Sequence, residues 1–282
     1  MLYFNFNGKI LEENSNIIGA NSRAVRYGDG LFETIKYKNS QLVLLDEHFA
    51  RLWKGMLSLQ FQQPKLFTPD LLQQETMQLL NKNNLSAARV RITVIRGDGG
   101  LYDAKNHLPN YLIQTWPLAE NNDLLNENGL QLCIYKEAKK SIDAFSNLKH
   151  NNFLPYFMGA LFAKQQLCND AVILNNFDRI ADTTIANLFV IKDGIIFTPS
   201  TDEGCIAGVM RKQIILELVK SGYTVSETQL TEATLMNADE IFLSNSIYNL
   251  RWVGGIANKK YGNKEIKKIY ESLKQTNSSV FC

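Results

Sequence analysis

The chain is 282 residues long, 45% hydrophobic and 21% charged. That length admits one large domain or two modest ones, at roughly 100–200 residues each, with a core that needs no disulfide or metal staple. Thirty Lys and Arg against 28 Asp and Glu leave a formal charge of +2. This excludes a protein built mainly to coat nucleic acid, although two or three basic groups could still hold a local anion.

The first 115 or so residues read as mixed strand and helix. Tyr3–Asn7 alternates apolar and polar. Leu31–Tyr37 and Leu42–Leu45 flank the polar Lys38-Asn39-Ser40 and predict a hairpin. Asp46 is placed to cap a helix whose apolar face holds Phe49, Leu52, Trp53, Met56 and Leu57. Thr68-Pro69 opens a second helix, with proline at its first position. Val90–Ile95 and Tyr111–Trp116 read as strands around the loop Gly97-Asp98-Gly99-Gly100. The polar run from Ala119 reads as a linker, giving an N-terminal domain over 1–118, a linker over 119–128 and a C-terminal domain over 129–282. Beyond the linker, Leu130–Tyr135, Ala171–Leu174, Leu188–Ile191, Ile195–Thr198 and Ile241–Leu243 read as strands. Phe153–Leu167, Val209–Lys220 and Lys264–Leu273 read as helices, the second stopped by Gly222. Strands outnumber helices without regular βαβ alternation, so the expected class is α+β.

Much chemistry is missing. Neither glycine cluster completes G-x-G-x-x-G, and there is no Walker A, H-E-x-x-H or G-x-S-x-G. The three histidines, His48, His107 and His150, lie far apart, and no Cys/His spacing suggests a metal. Cys133, Cys168, Cys205 and Cys282 form no C-x-x-C pair and read as free thiols of a reducing compartment. No signal peptide is evident, and no run of about 18 apolar residues marks a membrane span. Cytoplasm is the expected location, with neither nucleic acid nor membrane as a partner. Any chemistry should come from a bound organic cofactor acting on a small-molecule substrate.

Four segments, in order, resemble the fold-type IV pyridoxal 5′-phosphate (PLP) enzymes. They are Arg26-Tyr27-Gly28-Asp29-Gly30-Leu31-Phe32-Glu33-Thr34, His48-Phe49-Ala50-Arg51-Leu52, Leu148-Lys149-His150-Asn151-Asn152, and the stretch from Asp170 to Arg211. The group includes branched-chain and D-amino acid aminotransferases and aminodeoxychorismate lyase. The resemblance implies a two-domain, D-amino acid aminotransferase-like α+β fold with a barrel-like C-terminal domain carrying the cofactor lysine. It also implies PLP in the interdomain cleft and a homodimer. Lys149 matches the lysine joined to the cofactor, which must be neutral to attack an aldehyde. Arg51 matches the phosphate-binding arginine, whose fork suits that anion. Asp182 falls where the family has a glutamate facing the pyridine nitrogen. Being one methylene shorter, it requires a closer backbone, a bridging water or a less protonated ring. Gly208-Val209-Met210-Arg211 resembles the phosphate cup at a helix start, where Val209 and Met210 act through backbone N–H. Ser246, in Ser244-Asn245-Ser246, matches a second phosphate-side hydroxyl.

Departures from the pattern sort the family's members. Branched-chain aminotransferases carry a tyrosine five residues after the lysine, where this chain has Leu154, and read Phe-Glu-Gly where it has Phe32-Glu33-Thr34. A threonine there is implicated in lyase proton transfer, so Thr34 joins Lys149 as a candidate catalytic residue. Tyr27, Arg96 and Tyr102 are candidates for the substrate side, and Leu101 replaces an arginine found in many lyases. The resemblance therefore implies aminodeoxychorismate lyase, releasing 4-aminobenzoate and pyruvate for folate synthesis. An amino-acid aminotransferase is the alternative. A third reading, invited by Asp182, is a pseudoenzyme or interaction module without PLP.

Overall fold

The computed structural model describes residues 2–119 and 121–281. Cys282 and, within the expected linker, Glu120 lie outside the described residues. The chain forms two units: Met1–Glu120 with Leu148–Asn152, and Asn121–Asn147 with Phe153–Cys282.

In the first unit, strands β1 (Tyr3–Phe6), β2 (Lys9–Glu12), β3 (Gly30–Lys38), β4 (Gln41–Leu42), β5 (Ala88–Arg96) and β6 (Pro109–Pro117) form a sheet in the order β2-β1-β6-β5-β3-β4. Helices α1 (Arg23–Tyr27), α2 (Leu45–Ser58) and α3 (Pro69–Lys82) accompany it. Period-two alternation turns Leu31, Ile35, Val90, Ile92, Val94 and Ile113 to one side, where they share a core with Phe49, Leu52 and Met56 of α2 and Leu72, Leu79 and Leu80 of α3. The β3–β4 turn is Asn39-Ser40, both at positive φ, the backbone a two-residue hairpin loop demands. The second hairpin strand is shorter than expected because Leu44, at φ 54°, breaks the extension. Helix α2 therefore starts at Leu45. Asp46, expected as its cap, sits in the first turn, where its charge complements the helix dipole. The Thr68 cap is present, its Oγ1 accepting from Leu71 N at 3.2 Å.

In the second unit, β7 (Leu130–Lys140), β8 (Asp170–Asn175), β9 (Ile180–Thr183), β10 (Asn187–Lys192), β11 (Ile195–Pro199), β12 (Val225–Thr228), β13 (Glu240–Asn245) and β14 (Asn249–Ile256) run in the order β12-β11-β10-β13-β14-β7-β8-β9, and β15 (Lys259–Lys260) pairs with β14. Helices α4 (Leu154–Gln165), α5 (Val209–Lys220), α6 (Glu232–Met236), α7 (Lys264–Thr276) and α8 (Ser278–Phe281) complete it. Strand β8 is buried on both faces. Val172 and Leu174 enter a core with Leu188, Val190, Ile241, Leu243 and Val253. Ala171 and Ile173 pack instead with Tyr135 and with Tyr156 and Ala163 of α4.

The β8–β9 pairing contains a register shift: Leu174 faces Ile180, but Ile173 faces Asp182. Residues two apart normally share a face. The bulge resets that parity and re-aims Asp182, which lies against Tyr156 on the α4 side.

Leu148–Asn152 was expected in the C-terminal domain, and it groups instead with the first unit. Phe32 N donates to Lys149 O at 2.8 Å and Asn151 N to Gly30 O at 3.0 Å, so the segment extends the sheet along β3.

Leu79 is fully buried. Leu79→Ala should cost the first unit about 2–5 kcal/mol. Urea unfolding followed at Trp53 and Trp116, with a Trp252-only variant reporting the second unit, checks this. An unshifted first-unit transition would show that the site collapses around the deletion.

Candidate active site

The first unit buries a carboxylate under a ring of donors. Glu33 points from β3 toward α2, where Arg51 Nε donates to Oε1 at 2.8 Å and Arg51 Nη2 to Oε2 at 2.5 Å. His48 Nδ1 also donates to Oε2, at 2.7 Å. Burial alone would raise the Glu33 pKa, but Arg51 and His48 outweigh it and hold the carboxyl down to about 2. Burial pushes His48 below its ordinary value, so its contact with Glu33 is a hydrogen bond from a neutral ring. The positions of His48 and Arg51, three apart on one helix, put both on the face that meets Glu33.

The opposite face of β3 carries Phe32 and Thr34. Lys149, half-buried, holds its amine 4.6 Å from the centre of the Phe32 ring, and the Arg91 guanidinium lies 3.7 Å from the same centre. Thr34, Arg89, Arg91, Thr93, Gln114 and Trp116 line a hollow of about 490 Å³. Arg89 and Arg91 are two apart on β5 and share this face. Burial, and then Arg89, lower the Arg91 pKa. Two neighbouring cations in a hollow favour an anion.

In the second unit, Asp182 is 2% exposed. Its Oδ2 accepts from Tyr156 Oη at 2.9 Å and Ile206 N at 3.0 Å. Its Oδ1 is buried with no hydrogen-bond partner. Burial raises the Asp182 pKa, opposed mainly by the charge of Lys140, whose Nζ is 3.6 Å from Oδ2. The loop held by Asp182 leads into α5. Asn187 Nδ2 donates to Ile206 O at 2.9 Å, and a Cβ on Gly208 would meet Asn187 Oδ1 at 2.0 Å. A side chain there would force the Asn187 amide to move. Lys212 N to Gly208 O is the first helical bond, so the amides of Val209 and Met210 have no acceptor within the helix. Ser246 is half-buried after β13. The Ser244 hydroxyl is buried without a hydrogen-bond partner, and Ser244 pairs with Asn187 across the ladder.

The substrate-side candidates separate. Arg96 is buried, bonded to Asp29 Oδ2 at 2.9 Å and His107 Nδ1 at 2.8 Å, and donates to the carbonyls of Leu59 and Gln60. Its role is to tie its own loop together, which corrects the expectation that it faces substrate. Tyr102 is 97% exposed, and Tyr27 is half-buried between the guanidinium groups of Arg23 and Arg26. Sequence reasoning passed over Arg89, Arg91, Lys140 and Tyr156. The alternation Arg89-Val90-Arg91-Ile92-Thr93 was a visible signal that the polar members share one sheet face. Lys140 carried none, because Lys136–Lys140 reads as a solvated run. Among the described residues, no group of three or more His, Cys, Asp or Glu could hold a metal ion, and no helix is long and apolar enough to cross a membrane.

A carboxyl held from 4.5 to about 2 contributes about 3 kcal/mol to the first unit above pH 4.5, lost as pH falls through 2. Glu33→Gln should lower the urea midpoint of that unit at pH 7, and the gap to wild type should narrow between pH 4.5 and 2. A gap independent of pH would remove the charge from the explanation.

Residues 30–256 match the family model described as amino-transferase class IV. The chain is 30% identical over 237 residues to an aminodeoxychorismate lyase of Vibrio harveyi, covering 83% of this chain and 86% of the relative. It is 27% identical over 272 residues to a putative branched-chain-amino-acid aminotransferase of Methanocaldococcus jannaschii, covering 95% and 93%. The fold is that of the Escherichia coli branched-chain amino acid aminotransferase, with a TM-score of 0.87, 23% identity, and coverage of 99% of this chain and 94% of that one. A family match over most of the chain, together with this fold, makes the protein a member of the class IV aminotransferase family, the PLP-dependent enzymes of fold type IV.

Proposed function

We propose that this enzyme is an aminodeoxychorismate lyase, converting 4-amino-4-deoxychorismate to 4-aminobenzoate and pyruvate. The observation that carries the reading is the hollow on the β3–β5 face. Thr34 lines it together with Arg89 and Arg91, and Arg91 shares the Phe32 ring with Lys149. The substrate bears two carboxylates, which suit two guanidinium groups.

The residues present fit PLP. The partnerless buried Oδ1 of Asp182 suits a ring N–H, and the Gly208 approach with the open amides of α5 suits a phosphate. We assign the covalent attachment to Lys149, the phosphate to Arg51, Val209, Met210 and Ser246, and the ring nitrogen to Asp182. Once bound, the cofactor supplies an electron sink for the carbon that carries the substrate amine. Lys149 Nζ, neutral after the substrate amine replaces it, takes the proton from that carbon. Arg89 and Arg91 hold the carboxylates so that the breaking bonds stay aligned. Thr34 Oγ1 donates toward the departing enolpyruvyl fragment, which becomes pyruvate. Aromatisation of the remaining ring supplies the driving force.

The second reading is an amino-acid aminotransferase using the same lysine. It is favoured by the fit of the two arginines to any dicarboxylate amino donor. Enzymatically generated aminodeoxychorismate, with 4-aminobenzoate followed by fluorescence, separates the two. The lyase reading expects product from wild type and none from Lys149→Ala. Thr34→Ala should lower kcat about 100-fold, and Arg91→Met should raise KM about 10- to 100-fold. No 4-aminobenzoate, alongside steady keto-acid-dependent turnover of an amino acid, would replace the lyase by the aminotransferase.

A further inference from the structure

Among the buried cations that the mechanism above does not use, Lys140 stands beside Asp182. Lys140 ends β7 at 6% exposure, after a register shift that moves the strand's pairing from Tyr135↔Ile173 to Lys140↔Asn175. Its Nζ is buried and makes no hydrogen bond. It lies 3.6 Å from Asp182 Oδ2, a charge contact just beyond hydrogen-bond range, and 5.1 Å from the centre of the Tyr156 ring. Lysine is seldom buried unless paired, and a buried ammonium short of hydrogen bonds is costly. Its placement therefore calls for a reason beyond packing.

The reason lies in what each oxygen of Asp182 does. Oδ2 already accepts from Tyr156 and Ile206, and Lys140 stands on that side. Oδ1 has no partner. If the buried carboxyl took up a proton, Oδ1 would become a donor and would hold a ring nitrogen in its unprotonated form. If the carboxyl stays ionised, Oδ1 can only accept, and the ring nitrogen keeps its proton. Burial drives the group toward the first state. Tyr156 and Cys205 also face Asp182, and burial raises both above their ordinary values, which keeps them neutral and adds no charge of either sign. Lys140 brings a compensating positive charge.

We propose that Lys140 is a positioning residue for Asp182: its ammonium keeps the carboxyl ionised, so that Oδ1 accepts a proton-bearing ring nitrogen instead of donating to a bare one. The bond forms in the same place either way, and Lys140 decides its direction. This inference rests on the assignment of Asp182 to the ring nitrogen. It also offers a role for an aspartate in place of glutamate, with the shorter carboxylate backed by its own cation.

The test is the ¹⁵N resonance of the ring nitrogen in holoenzyme loaded with ¹⁵N-labelled PLP, at pH 7, in wild type, Lys140→Met, Lys140→Arg and Asp182→Asn. Wild type and Lys140→Arg should give the protonated-ring signal. Lys140→Met and Asp182→Asn should both move to the unprotonated position. A protonated ring in Lys140→Met, with loss of the proton in Asp182→Asn, overturns the role of Lys140 and leaves the assignment of Asp182 intact. A protonated ring in every variant overturns both. A second measurement has an arm that does not depend on Lys140→Met folding. The carboxyl ¹³C signal of Asp182, identified by its absence in Asp182→Asn, should be that of a carboxylate at pH 7. In Lys140→Arg its titration should stay in place, whereas in Lys140→Met it should rise by about 1–3 pH units. A protonated Asp182 in wild type at pH 7 overturns the proposal even if Lys140→Met fails to fold.

Discussion

A carboxylate taken out of water must gather donors or surrender its charge. Glu33 in the first unit and Asp182 in the second are two such groups, and they are treated oppositely. Glu33 receives three hydrogen bonds from a neutral histidine and an arginine fork, and both its oxygens are engaged. Asp182 has one oxygen engaged and the other bare. The first arrangement fixes a helix against a sheet and orients Arg51. The second leaves one buried oxygen without a partner, on a carboxyl that burial pushes toward neutrality. The β9 bulge aims the group, and the Ile206 amide and the Tyr156 hydroxyl hold its other oxygen.

The same economy of charge explains the face of β3 that carries Phe32. One aromatic ring meets two cations, Lys149 and Arg91. An aromatic face attracts a cation without neutralising it, so it can hold these groups in position while leaving them able to meet an anion or, for the lysine, to act on a proton. Thr34 brings a hydroxyl to this surface where glycine would leave nothing.

Much of this architecture was legible in the residues. Alternation marks β5 and β6, short apolar runs mark β8, β10 and β13, and proline after threonine marks the start of α3. Strand β9 escaped because Ile-Ala-Asp-Thr is short and carries a charge in a buried position, against the ordinary expectation for aspartate. Its bulge cannot be read locally, since it exists only relative to β8. Lys149 and Asp182 were singled out through the company they keep in sequence. Lys140 was not, because a lysine beside Lys139 and Ser141 has the look of a solvated one until the strand register turns it inward. Arg96 failed in the other direction: its neighbours in a glycine-rich loop suggested a ligand, whereas Asp29, His107 and two carbonyls occupy it.

The pairing of Leu31 with His150 has a consequence for how the protein is made. During synthesis, β3 leaves the ribosome long before the segment that lines its edge. Domains tend to fold in order of emergence, so the first unit must wait with the Gly30–Phe32 backbone unpaired, and an open sheet edge invites association with other chains. The strip that closes this edge contains the lysine expected to carry the cofactor. A nascent chain halted before that point lacks that protection, and completion of the sheet coincides with the arrival of Lys149.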